Sequence, residues 1–139
     1  MARLLRELFS IERDFRSSGL RQKRGLELLL SKPGRAAVIV ARNGCKKAGA
    51  MVSVQLVIST AEGAPSAWIE DMVVSKPYRS QGLGRALLEK ALDWAKQKGA
   101  VRTQLLADLD NQPALGFYKH LGWRSTRLGA WRVFLRERE

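Results

Sequence analysis

The sequence is poor in the residues that staple a fold or hold a metal: one cysteine, one histidine and four prolines among 139 residues. With Cys45 alone no internal disulfide can form, and no Cys/His grouping has zinc-ligand spacing, so no metal is expected. A single histidine, His120, excludes any mechanism that needs two. No run of about 18 uncharged apolar residues occurs, which excludes a membrane-spanning helix. A secretory signal is excluded as well, because Arg3, Arg6, Glu7, Glu12, Arg13 and Asp14 interrupt its would-be apolar core. The same acidic residues argue against an Arg-rich transit peptide, so the chain reads as cytoplasmic. Acids are scarce overall: 13 Asp plus Glu face 25 Lys plus Arg, a net charge of +12. Such an excess favours polyanionic partners, among them nucleic acid, an anionic membrane surface or a phosphate-rich small molecule, without choosing between them.

What is present suits one compact domain. The length is too short for two ordinary domains, and 45% apolar residues exclude a disordered chain. Residues 3–16 place Leu4, Leu5, Leu8, Phe9, Ile11 and Phe15 on roughly one helical face, ended by Ser17-Ser18-Gly19. A second helix is predicted over Leu20 to Leu30, stopped by Lys32-Pro33-Gly34. Then β-branched residues take over. Strands are predicted at Ala36–Ala41, at 49–59 and at Trp68–Val74, with turns at Asn43-Gly44 and Glu62-Gly63-Ala64-Pro65. Short connections make these three an antiparallel meander. Leu83, Leu87, Ala91, Trp94 and Ala95 recur at helical spacing, Gly99 suits a left-handed cap, and Val101–Ala107 reads as a strand. Strand, helix and strand form a right-handed crossover between parallel neighbours. A short helix opens at Asp110-Asn111-Gln112-Pro113 and closes at Gly122, and alternation over Trp131–Arg136 predicts a final strand. The fold class is α/β with a mixed sheet.

The residues between the third strand and the long helix carry the chemistry. In Val73-Val74-Ser75-Lys76-Pro77-Tyr78-Arg79-Ser80-Gln81-Gly82-Leu83-Gly84-Arg85 a strand ends, a loop follows and a helix opens on two glycines. First-turn N–H groups of a helix lack internal acceptors, and the helix dipole adds partial positive charge there. Glycines at 82 and 84 let an anion approach the backbone, and Lys76, Arg79 and Arg85 add formal charge. The Lys-Ser/Thr ending of a nucleotide P-loop is absent, and Leu87 occupies the place of a third dinucleotide-fingerprint glycine.

Arg79-x-x-Gly82-x-Gly84, preceded by Val74-x-x-Pro77-Tyr78, resembles the Gln/Arg-x-x-Gly-x-Gly/Ala motif of the GCN5-related N-acetyltransferase (GNAT) superfamily. Asn111-x-x-Ala114-x-x-Phe117-Tyr118-x-x-x-Gly122-Trp123 is similar to its second hallmark, with Trp123 where phenylalanine is usual. The resemblance covers Ala36 to the C-terminus well and the helices before it loosely. It implies a mostly antiparallel twisted sheet flanked by helices, in a single N-acetyltransferase domain over 1–139. Residues 1–34 would form its helical N-terminal part and 35–139 its acetyl-CoA-binding core. The family's usual opening strand has no counterpart here; it is missing, or a partner or the C-terminus fills its place.

The resemblance further implies that Arg79, Ser80, Gln81, Gly82, Leu83, Gly84 and Arg85 hold the diphosphate of acetyl-CoA, and that Met72, Val73 and Val74 pair with its pantetheine arm. A backbone N–H near Met72 would polarise the thioester. Asn111 and Ala114 would line the cofactor's other side, and Tyr118 would protonate the leaving thiolate. Glu70 is the candidate general base through water, or else the binder of a cationic amine; strand alternation puts it on the face of Met72 and turns Asp71 away to pair with arginine, unless a bulge shifts the register. His120 is expected solvated or beside the cofactor, and Trp68 and Trp131 in the core or at an acceptor pocket. The leading expectation is acetyl transfer to a primary amine of a small molecule or peptide, by direct attack in a ternary complex. A basic RNA-associated enzyme acting on aminoacyl-tRNA, or a non-catalytic coenzyme A sensor, are the alternatives. Dispersed basic residues, from Arg3 to Arg138, weigh against nucleic acid. An open sheet edge would suit a homodimer.

Overall fold

The computed structural model describes residues 1–11 and 18–136. The expected continuation of the first helix through Phe15 to 16, and its stop at Ser17, lie outside the described residues. The chain divides into two compact units, Met1–Leu105 and a shorter one from Leu106 onward.

The first unit contains α1 (Ala2–Ile11), α2 (Gly19–Leu30), β1 (Ala36–Arg42), β2 (Ala48–Ser59), β3 (Ala64–Val74), a 3-10 turn at Lys76–Tyr78, α3 (Leu83–Gln97) and β4 (Arg102–Leu105). The sheet order is β1-β2-β3-β4. The β1–β2 and β2–β3 pairs are antiparallel, and β3–β4, joined through α3, is parallel. β3 begins four residues before the expected Trp68, because Ile58 and Ser59 of β2 extend the ladder to Pro65 and Ala64. Pro65 has no N–H to give, but it is only the second residue of the strand, and its carbonyl accepts the N–H of Val101 at 3.1 Å.

Strand alternation sends β2 side chains to two faces. On one, Met51 and Val73 of β3 bury against Leu4 and Leu5 of α1 and Leu26 of α2. On the other lie Val52 and Val54, fully buried, where α3 turns in Leu87, Leu88, Ala91 and Ala95. Each fully buried Leu, Val or Met contributes about 1.5–3 kcal/mol. The sheet is therefore covered on both faces.

In the second unit, α4 (Gln112–His120) starts with Asn111 as its cap: the side-chain oxygen accepts the N–H of Ala114 at 3.2 Å. Gly122, at φ 88°, closes it in the left-handed conformation. The final strand expected over Trp131–Arg136 is not formed. Trp131, Val133 and Leu135 are 98%, 79% and 92% exposed. Alternation specifies which side chains share a face, but a strand also needs a hydrogen-bonding neighbour, and this unit contains no strand among the described residues.

Candidate active site

The loop leaving β3 is assembled by contacts far apart in sequence. Ser75 donates its N–H to the carbonyl of Gly49 on β2 at 2.8 Å. Gly49 is buried under the Tyr78 ring; a Cβ there would sit 2.8 Å from a ring carbon. The Tyr78 hydroxyl in turn accepts the side-chain N–H of Asn43, 2.9 Å away in the β1–β2 turn. Asn43 also organises that turn, since its side-chain oxygen accepts the N–H groups of Cys45 and Lys47. The 3-10 turn is thus fixed to the sheet on the side where β2 begins.

Beyond it the chain turns into the start of α3. Ser80 (φ 59°) and Gly82 (φ 78°) both adopt the left-handed conformation, one that gathers successive N–H groups into a concavity. Gly82 is the N-cap of α3 and has no side chain with which to cap it. The first intrahelical acceptor is the Gly82 carbonyl, taken by Ala86 at 3.1 Å, so the N–H groups of Leu83, Gly84 and Arg85 precede the helical ladder. Open space surrounds the missing Cβ of Gly82. These features fit a phosphate.

Two of the three basic side chains expected to add charge here, Arg79 and Arg85, are engaged with neighbouring groups. Arg79 turns back: its Nε donates to the Val74 carbonyl at 2.8 Å and its guanidinium pairs with Glu7 of α1 at 3.6 Å. Arg85 bonds Glu89 one turn along α3, at 2.8 Å. Gln81 donates its side-chain amide to the Pro77 carbonyl. Backbone N–H groups are what this helix start has to offer an anion.

Beside the loop, β3 opens. Its pairing with β4 ends at Ile69 opposite Leu105, so Glu70, Met72, Val73 and Val74 continue with β2 as their only neighbour among the described strands. A β-bulge falls at the same place. Val52 faces Met72 but Val54 faces Ile69, so two residues, Glu70 and Asp71, oppose Ser53 alone. The strict alternation that would group Glu70 with Met72 is broken here. Asp71 lies on Ser53's side of the sheet, where Ser53 Oγ donates to its carboxylate at 2.9 Å and accepts its N–H at 3.1 Å. Its carboxylate is held by a serine rather than by an arginine. Burial pushes the Asp71 carboxyl above the usual range, with the Ser53 hydrogen bond pulling the other way. Glu70, next to it, is exposed.

In the second unit Asn111 spends its side-chain oxygen on the α4 cap, and Ala114 supplies the N–H it accepts. Tyr118, half-buried, stacks edge-on to Phe117 with ring centres 5.3 Å apart and lies 5.8 Å from Trp123. His120 is exposed, Trp68 is half-buried on β3, and Trp131 is fully outside any core. Sequence reasoning missed Glu7, Ser53 and Ser75. Ser75 lies inside the Val73–Arg85 segment but at an unspecified position of the pattern, and Glu7 and Ser53 lie outside it.

The sequence profile of the Acetyltransferase (GNAT) family matches residues 2–123. An uncharacterized N-acetyltransferase of Methanocaldococcus jannaschii is 36% identical over 66 residues, 48% of this chain and 29% of that protein. A thialysine N-epsilon-acetyltransferase of Sus scrofa is 38% identical over 74 residues, 52% of this chain and 43% of that one. The matched stretches span less than half the length of these relatives. Among solved structures, a Bacillus halodurans protein described as a transcriptional regulator superposes with a TM-score of 0.82 at 27% identity, over 96% of this chain and 91% of its own. With the profile matching residues 2–123, most of the chain, the chain belongs to the GNAT acetyltransferase family.

Proposed function

We propose that the protein transfers an acetyl group from acetyl-CoA to a primary amine, both substrates being bound together. One observation carries this reading: the bare N–H groups at the start of α3 adjoin the stretch of β3 that has lost its β4 neighbour. The first feature suits a diphosphate and the second suits an extended amide-bearing arm, and acetyl-CoA has both, in that order. Met72, Val73 and Val74 would bond the arm as an added strand. The loop from Arg79 to Arg85 would bind the diphosphate through Leu83, Gly84 and Arg85 N–H groups.

The chemistry asks for three proton or charge movements. A backbone N–H near Met72 stabilises the oxyanion as the amine nitrogen bonds to the thioester carbon. Glu70 takes the amine's proton through a water. Tyr118 gives its proton to the departing thiolate, a role that rests on the family resemblance of Asn111-x-x-Ala114-x-x-Phe117-Tyr118. Asn111 and Ala114 would flank the cofactor. The carboxylates Glu70 and Asp71 favour a cationic acceptor, and the thialysine enzyme among the relatives acts, by its name, on such an amine.

The test is thiol release from acetyl-CoA across a panel of polyamines, aminoglycosides, lysine-like amino acids and peptides. Turnover with at least one amine is expected, and Tyr118→Phe should lower kcat by about 100-fold or more while acetyl-CoA affinity is kept. Glu70→Gln should lower the rate most at low pH, where less neutral amine is available. Binding without turnover on any amine would leave a coenzyme A sensor in place of an enzyme.

A further inference from the structure

We propose that Glu7 is a positioning residue for the diphosphate loop: from α1, its carboxylate ties Ser75, Lys76 and Arg79 into the shape that presents the α3 N–H groups. The inference rests on the reading that this loop holds the coenzyme A diphosphate, and it names what holds the loop.

The two oxygens of Glu7 serve one short segment. One accepts the Ser75 hydroxyl at 2.9 Å; the other accepts the Lys76 N–H at 3.0 Å and faces the Arg79 guanidinium at 3.6 Å. The Glu7 side chain is 21% exposed; its bond to Ser75 is partly sheltered from water, while its bonds to Lys76 and Arg79 lie at the surface. Arg3, one helical turn earlier, closes the arrangement. It reaches the Ser75 hydroxyl at 3.4 Å, Glu7 at 3.8 Å, and the carbonyl of Ala48, where β2 begins, at 2.6 Å. Burial alone would push the Glu7 carboxyl up, but Ser75, the Lys76 amide, Arg79 and Arg3 together bring it below the usual range.

The loop has reason to need such a brace. Ser80 holds a left-handed conformation that costs a non-glycine residue about 1–2 kcal/mol. Gly82 contributes no cap, and Gly82 is also the freest residue of the segment. The loop's own preferences do not select its shape, so the surroundings must over-determine it. Arg79 transmits the hold: one end of its side chain is on Glu7, the other on the Val74 carbonyl at the loop's entry. This gives the motif's arginine a structural task, and leaves the anion to the backbone.

The test compares coenzyme A with pantetheine, which is the same arm without the diphosphate, by NMR titration of Leu83 and Gly84 amides. Wild-type protein should bind coenzyme A far more tightly than pantetheine. If it does not, the loop does not hold the diphosphate, and the reading of the site falls together with this inference before any substitution is made. Given that preference, Glu7→Gln should weaken coenzyme A roughly 10-fold and leave pantetheine within about two-fold. Ser75→Ala, which removes one of the carboxylate's partners without touching α1, should weaken coenzyme A roughly three-fold and spare pantetheine, and it decides the matter if Glu7→Gln does not fold. Equal losses on both ligands would mean that Glu7 merely supports the fold. Unchanged coenzyme A affinity would mean that the loop holds its own shape. Either result overturns the proposal while the acetyl-CoA site stands.

Discussion

From Ser66 to Ile69, β3 has a neighbour on each edge, β2 antiparallel and β4 parallel; from Glu70 to Val74 only β2 remains among the described strands. The first half is uncharged, the second opens on two acids, Glu70 and Asp71, and they do different work. In the first half Ser66, Ala67 and Ile69 are buried, and the backbone groups of both edges are engaged. In the second half one edge is left for something else, the strand carries a bulge, and a carboxyl is buried beside it. Topology, through the length of β4, decides where structure ends and the site begins. A four-residue β4 after an eleven-residue β3 is what creates the open edge.

The comparison breaks most violently if a charge enters the first half. Ala67 is fully buried, opposite Leu56 on one side and Thr103 on the other. Ala67→Glu would place an unpaired carboxylate there, at a cost of more than about 4 kcal/mol, and should abolish a cooperative thermal transition measured by circular dichroism. A normal melt would mean that the paired half is far looser than its burial indicates.

A sharper version uses two glycines with nearly the same backbone. Gly82 (φ 78°) starts α3 and Gly99 (φ 83°) ends it. Alanine at either position should cost the fold about 1–2 kcal/mol, because both φ values are left-handed. Only Gly82→Ala should weaken acetyl-CoA, by roughly 10- to 100-fold, through lost bonds to a charged group at about 1.5–3 kcal/mol each. Calorimetry on the pair separates the anion site from the general cost of the backbone. Matching affinities would remove Gly82 from the cradle.

Gly49→Ala addresses how the loop is seated rather than what it binds. The added methyl would meet the Tyr78 ring at 2.8 Å, and the ring is tethered by Asn43. Overpacking of this kind costs about 1–3 kcal/mol, readable as a lowered urea midpoint with an unchanged slope. Tyr78→Leu in the same background should recover part of the loss, since a smaller side chain makes room.

Legibility followed distance along the chain. The α3 stripe of Leu87, Ala91 and Ala95, the paired glycines 82 and 84, and the opening of α4 at Asp110-Asn111-Gln112-Pro113 are local signals, set by residues within one or two turns, and each is where its spacing predicted. The parallel crossover was legible because strand, helix and strand leave one favoured hand. What could not be read is what depends on a partner. The bulge at Glu70–Asp71 exists only relative to Ser53, eighteen residues earlier. Glu7 meets Ser75 across 68 residues, and on its own helix it is one more charged side chain. The alternation of Trp131, Val133 and Leu135 promised a strand on period alone, and no neighbour among the described residues of its unit completes it.

The smallest expected effect concerns the two half-buried carboxylates, because they are shifted in opposite directions. Asp71 is raised, so the folded protein holds its proton more tightly than the unfolded chain does. The stability that follows is full below the unfolded value, roughly 3.9, and is lost as pH rises through the folded one. At neutral pH the native carboxylate is therefore a burden, and Asp71→Asn, which keeps an acceptor for the Ser53 hydroxyl, should raise Tm at pH 7. That gain should shrink as the pH falls and the wild-type group becomes neutral too. Glu7 is lowered, and its sign is reversed: its contribution is present above roughly 4.3 and disappears as pH falls through its folded value, so Glu7→Gln should lower Tm at pH 7 and converge on wild type in acid. Melts of both variants at pH 7 and at a pH below the lowered Glu7 value test the pair. A carboxylate kept at a cost to the fold belongs where the strand has opened for chemistry, and one that adds stability belongs in a brace. If Asp71→Asn instead lowered Tm at pH 7, the buried acid would be part of the structure, and the boundary between the two halves of β3 would lie closer to Met72.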